Sequence, residues 1–168
     1  MFLRKFKWYR KLENFYQRGK KGYCNEDLWD LYDWFTKLFP KMLDEFLINT
    51  NGFPCGMCPT DVEDQDFWYK EQQRKWEYEV KKLIWDLREA NDETCSEKNN
   101  IDYDFKFEFV KEDKKSPFST LNIVYPTEQD KLNSKLSLER HKEIDRYKEE
   151  RFKKALKQFE KIARDLWD

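Results

Sequence analysis

From Leu28 to Phe46 the apolar residues return at three- and four-residue steps: Leu28, Leu31, Phe35, Leu38, Met42 and Phe46. That period is one face of an α-helix and does not fit a strand. Trp29, Phe39 and Leu43 widen the stripe on one flank and Trp34 on the other. A helix this apolar is expected to be covered on more than one side. Asn25 is the expected N-cap, since its side-chain oxygen can accept from the free amides of the first turn. Glu26, Asp27 and Asp30 suit the positive end of the helix dipole. Asn51-Gly52 reads as the stop. Pro40 lies inside the pattern, removes one backbone donor, and predicts a kink or a break near residues 36–40.

The residues just before this helix carry the candidate site. Arg18-Gly-Lys-Lys-Gly22 places two glycines among three cations. Glycine lets backbone amides approach a ligand closely, and a following helix N-terminus favours an anion. The spacing and the missing lysine–serine/threonine ending exclude a P-loop. The expected ligand residues are Arg18, Lys20, Lys21, Tyr23, Asn25, Asp27, Trp29 and Trp34. The competing reading is a flexible basic turn. Asp27, Asp30 and Asp33, three apart, either form a solvated flank or present carboxylates for a hard cation or acid–base work.

Charged residues make up 40% of the 168, which alone would argue for disorder. Aromatic residues make up 18%, and each ring can bury a large area, so a folded domain with a densely charged surface is expected. Residues 1–22 hold eight Lys/Arg against one Glu, a charge of +7, which leaves −8 on the rest of a chain whose total is −1. Such asymmetry predicts a basic arm over an acidic body, within one chain or between subunits, and makes a homo-oligomer the expected state. In residues 1–17 cations alternate with Phe2, Phe6, Trp8, Tyr9, Phe15 and Tyr16. This pattern fits a first helix packed on the core, a nucleic-acid surface or a membrane surface.

The second long helix is expected from about Asp66 to Ser96, with Trp76, Val80, Leu83 and Leu87 on its buried face. The period then changes. Ile101, Tyr103, Phe105, Phe107 and Phe109 alternate with polar residues, and Leu121, Ile123 and Tyr125 repeat the alternation beyond a polar turn at 111–117. This predicts an antiparallel hairpin whose aromatic row packs on the helices or on another subunit. Thr127 with Asp130 reads as a capping box for a last helix that runs towards Asp168. Its middle, residues 137–151, is nearly all charge and should face water. Forty residues of helix would reach about 60 Å, so it should break near residues 137–141 or project and pair with a second chain. The expected fold is mainly α: a helical bundle of three to four helices with a small antiparallel β-hairpin insertion. It forms one domain over residues 1–168, divided into an arm or first helix (1–22), two long helices (23–100), the hairpin (101–126) and the C-terminal helix (127–168).

Cys55 and Cys58 form one CxxC, with Cys24 and Cys95 elsewhere and His141 the one histidine. One such pair is half of a zinc site, and the strand–CxxC–helix setting of redox catalysis is missing. Unliganded thiols are therefore expected, with no metal site and no cofactor. No apolar run follows the charged start and none approaches the length of a membrane span, so a cytoplasmic protein with reduced thiols is expected.

Arg18-Gly-Lys-Lys-Gly-Tyr-Cys-Asn-Glu-Asp-Leu-Trp-Asp-Leu-Tyr-Asp-Trp-Phe resembles the start of a family of small, uncharacterised bacteriophage proteins. Ala90-Asn-Asp-Glu-Thr-Cys-Ser and the closing Leu166-Trp-Asp resemble it too. The resemblance covers most of the chain outside the N-terminal arm and the hairpin. It implies a viral origin and a place in the host cytoplasm, and it carries no activity with it. The chain has no HExxH, GxSxG or Walker loop and no nucleophile–base set, so a non-enzymatic binding protein is expected. Its expected partner is a host protein, a defence component that it inhibits; the alternatives are a phosphorylated small molecule such as a nucleotide signal, or nucleic acid bound by the basic arm.

Overall fold

The computed structural model describes residues 2–50, 52, 54, 65–110 and 120–166, with side chains described for all of these but 2–7 and 65. The polar turn at 111–117, Cys55, Cys58 and Trp167 fall outside the described residues. Helix α1 is Phe2–Lys21, α2 Leu31–Asn49, α3 Gln65–Ala90 and α4 Glu128–Ile162; strands β1 (Lys106–Val110) and β2 (Thr120–Val124) lie between α3 and α4. One-turn 3-10 helices occupy Glu26–Leu28 and Ala163–Asp165. The fold is the mainly α bundle with a small antiparallel hairpin that the periodicities predict. Two compact units are present. One comprises Met1–Thr94 with Arg151–Asp168, the other Cys95–Glu150.

The first unit holds the main core. Trp76, Val80, Leu83 and Leu87 of α3 are buried as their spacing predicts, together with Leu43 of α2 and Ala155 and Ile162 of α4. Phe35, Phe39, Phe46, Phe152 and Phe159 pack around them. Several rings meet edge to face, Tyr32 with Phe152 at 4.8 Å and Phe39 with Phe159 at 5.3 Å between centroids, an arrangement that matches ring edge to ring face electrostatically.

Helix α2 departs from its expected form in three respects. It starts at Leu31, capped by Asp30, whose carboxylate accepts from the Asp33 amide at 2.9 Å; Asn25 makes no side-chain cap. Of the kink or break expected at Pro40, the break does not occur: α2 is one continuous helix through this buried residue, where packing outweighs the missing amide. Its buried seam runs through Thr36, Pro40 and Leu43, leaving Leu31, Leu38 and Met42 exposed and Trp29 91% exposed. The seam is rotated from the expected one because Thr36 can be buried at little cost. Its hydroxyl donates to the Tyr32 carbonyl at 2.8 Å, and Asn91 donates to it at 3.0 Å. Helix α3 also ends earlier than expected, at Ala90, where the Asn91-Asp-Glu-Thr turn leads out.

In the second unit β1 and β2 pair antiparallel, with Phe107 opposite Ile123 and Phe109 opposite Leu121. The hairpin base is tied to the start of α4. The Asp104 amide donates to Asp130 at 3.2 Å, Asn133 donates to the Asp102 carbonyl at 3.2 Å, and the Tyr125 and Ser134 hydroxyls lie 2.9 Å apart. Thr127 caps α4 as predicted, its hydroxyl accepting from the Asp130 amide at 3.1 Å. Helix α4 does not break near residues 137–141. Its 35 residues are continuous, a length of about 52 Å. Nor is its charged middle uniformly solvated: Ser137 and Ile144 are buried, and Asn99 donates to both the Ser137 carbonyl and hydroxyl.

Candidate functional site

The basic stretch at Arg18 is a helix end, not a loop opening onto a helix start. Helix α1 continues to Lys21, and Gly22 stops it with a left-handed backbone (φ 80°), its amide donating a 2.9 Å hydrogen bond to the Arg18 carbonyl. Arg18, Lys20 and Lys21 therefore sit at the negative end of a helix dipole, which their charges complement. Carbonyls, not amides, point out there, so the expected amide cradle for an anion is not formed. Gly19 lies within the helix.

Arg18 is also committed. Its guanidinium donates twice to Asp27, at 2.6 and 3.1 Å, and the Cys24 amide donates to the same carboxylate at 2.7 Å. Asp27 is buried, although sequence spacing placed it on a helix flank. The Arg18 guanidinium holds the Asp27 carboxyl well below the usual carboxylate range, with the Cys24 amide adding to the effect against desolvation. A depressed carboxyl contributes stability that is fully present above its unfolded value, near 3.9, and is lost as pH falls through and below that value. Asp27→Asn should therefore be less stable than the parent at neutral pH by roughly 1.5–3 kcal/mol. Urea unfolding should show the gap shrinking from about pH 5 to about pH 2. A gap independent of pH would show that the pair does not stabilise the junction.

The cleft beside this pair has a volume of about 480 Å³ and is lined by Arg18, Glu26, Asp27, Asp30, Asp33, Trp34, Lys37, Leu38 and Lys41. Of the expected ligand residues it gathers Arg18, Asp27 and Trp34; Lys20, Lys21, Tyr23, Asn25 and Trp29 are exposed and do not line it. Lys37, Leu38 and Lys41 were not anticipated, although their spacing from Trp34 already puts them on one face of α2. The three aspartates have separate structural tasks: Asp27 holds Arg18, Asp30 caps α2, and Asp33 accepts from Asn91 at 2.9 Å. Lys37 is raised above its ordinary value by its hydrogen bond to Glu93. Four carboxylates against three cations, two of them already ion-paired, make the cleft a poor match for a phosphate. Trp34 also lines a second, apolar cleft of about 520 Å³ with Leu31, Tyr32, Phe35, Phe152 and Leu156.

The hairpin supplies a different surface. Cross-strand partners share a face, so Phe107, Phe109, Leu121 and Ile123 project together, with Phe105 continuing the row. None is covered. Phe105, Phe107 and Phe109 are 44, 56 and 74% exposed, and Leu121 and Ile123 are about half exposed. This row is expected on the helices or on another subunit; among the described residues of its own unit only the hairpin base is anchored, to the start of α4. Tyr103 contacts the rings of Tyr125 and Phe105, and Phe105 that of Phe107, so the row is a continuous aromatic ladder.

Among the described residues no group of three or more His, Cys, Asp or Glu side chains is placed to hold a metal ion, and Cys24 and Cys95 are buried free thiols. No described helix is long and apolar enough to cross a membrane. No protein-family model, no curated protein and no solved structure matches the chain.

Proposed function

We propose that the protein acts by holding another protein against the apolar face of its hairpin, with no chemical transformation. The observation that carries this reading is the uncovered row Phe105, Phe107, Phe109, Leu121 and Ile123 on a two-stranded sheet. The row exposes on the order of 500 Å² of apolar surface, from the area that each ring can bury. That is at the upper end of what a monomer leaves open, and more than half of one side of a standard interface. Both strands are edge strands, so a partner chain can add a strand by main-chain hydrogen bonds and lay its apolar side chains over the row. The resemblance to bacteriophage proteins directs the search to a protein of the infected bacterium, with inhibition of a host defence component as the consequence.

A phosphorylated small molecule is less well supported, since Arg18 is ion-paired and carboxylates outnumber cations in the cleft. The test uses the pair Phe107→Ser and Phe109→Ser, both on exposed positions. Calorimetry against the partner recovered with the parent protein should show binding weakened roughly thirtyfold or more, the loss of more than 2 kcal/mol typical of aromatic anchors. The circular dichroism spectrum should be unchanged. Equal affinity of parent and variant would refute the reading, as would a partner that proves to be a second copy of this chain.

A further inference from the structure

Helix α1 is attached by its polar side. Arg10 and Asn14 donate to Glu26, the Gln17 side chain accepts from the Asn25 amide at 2.8 Å, and Arg18 donates to Asp27. Steps of four, three and one residues put these four on one helix face. The opposite face carries Trp8, Tyr9, Leu12, Phe15 and Tyr16, again at helical spacing, and they are 47 to 78% exposed. An ordinary surface helix does the reverse, burying its apolar stripe and presenting its charges.

We infer that this stripe docks on an anionic phospholipid surface. Three features select that occupant. Four of the five exposed residues are aromatic, two of them tyrosine and one tryptophan, the rings that settle at the headgroup level of a bilayer. Residues 1–22 carry eight cations against Glu13 alone; Arg10 and Arg18 are ion-paired to Glu26 and Asp27, and each of the others that lies near an anionic surface contributes about 1 kcal/mol. Arg10 and Arg18 are taken up on the attached side, opposite the rings, whereas a single-stranded nucleic acid needs rings and cations along one groove. A basic amphipathic helix lying in the interface plane fits all three. Attachment is at the surface, because no described helix can span the bilayer.

The test is co-sedimentation of the full chain with vesicles of phosphatidylcholine alone and of phosphatidylcholine with phosphatidylglycerol. Partition should be at least roughly tenfold stronger onto the anionic vesicles and should fall as salt is raised. Trp8→Ser/Phe15→Ser should reduce it by a similar factor, and Lys11→Glu by a smaller one. All of these positions are exposed, and circular dichroism should confirm that the variants keep their helix content. A parent protein that stays in the supernatant with anionic vesicles overturns the inference. So does partition unaffected by either variant, and so does displacement of the protein from vesicles by a single-stranded oligonucleotide at equal charge.

Discussion

Arg151→Ala is expected to destabilise the protein by about 3–5 kcal/mol, the cost of stranding a buried charge. Asp86 of α3 is 1% exposed, and its carboxylate accepts from the Arg151 guanidinium at 3.2 Å. The same guanidinium lies 4.3 Å from the centre of the Trp85 ring, so it both neutralises Asp86 and covers an aromatic face. Alanine removes both contacts and leaves the carboxylate sealed without its cation. Arg151→Lys should lose less, because it keeps the charge but not the flat stacking surface. Urea unfolding at neutral pH measures both. A loss below about 1 kcal/mol for Arg151→Ala would mean that water or another donor reaches Asp86.

The second large effect is expected at Leu83→Ala, about 2–5 kcal/mol. Leu83 has no exposed surface and lies mid-way along the α3 stripe, against a cluster drawn from α2, α3 and α4. Its removal leaves a cavity that the rings around it can only partly fill. The informative comparison is Met42→Ala on α2. The sequence pattern puts Met42 on the buried face, whereas the structure leaves it 54% exposed. That substitution should change stability by no more than about 0.5 kcal/mol. A Met42 effect as large as that of Leu83 would place the α2 seam where periodicity alone puts it.

The contrast between these two helices shows what a pattern of apolar residues conveys. In α3 the stripe is bordered by charge, so period and burial coincide. In α2 apolar residues occur on nearly every face, and the pattern admits several seams. The choice falls on the one with Thr36 because Asn91, distant in sequence, satisfies its hydroxyl. Tertiary bonds of that kind leave no local trace. The same holds at Asp27, whose position suggests a solvated flank until Arg18 and the Cys24 amide enclose it. Gly22 was legible as a special residue, but its task is to end α1, not to cradle an anion. The cleft on α2 was only half legible: Trp34 was singled out, while Lys37 and Lys41 one and two turns on were not. For the hairpin, alternation identified the strands and which side chains share a face. It could not say what lies over that face, since a strand pattern is identical whether a helix, a partner or water covers it.

On the function proposed above, the hairpin row is a binding face completed by another protein. Hydrogen–deuterium exchange of the hairpin amides, in the free protein and in its complex, decides the point. In the free protein the two edge strands should exchange quickly, as an isolated two-stranded sheet does. The complex should show slowed exchange across Lys106–Val110 and Thr120–Val124, with α2 and α3 unchanged. Protection that appears on the helices while the hairpin amides continue to exchange at their free rate would contradict the claim.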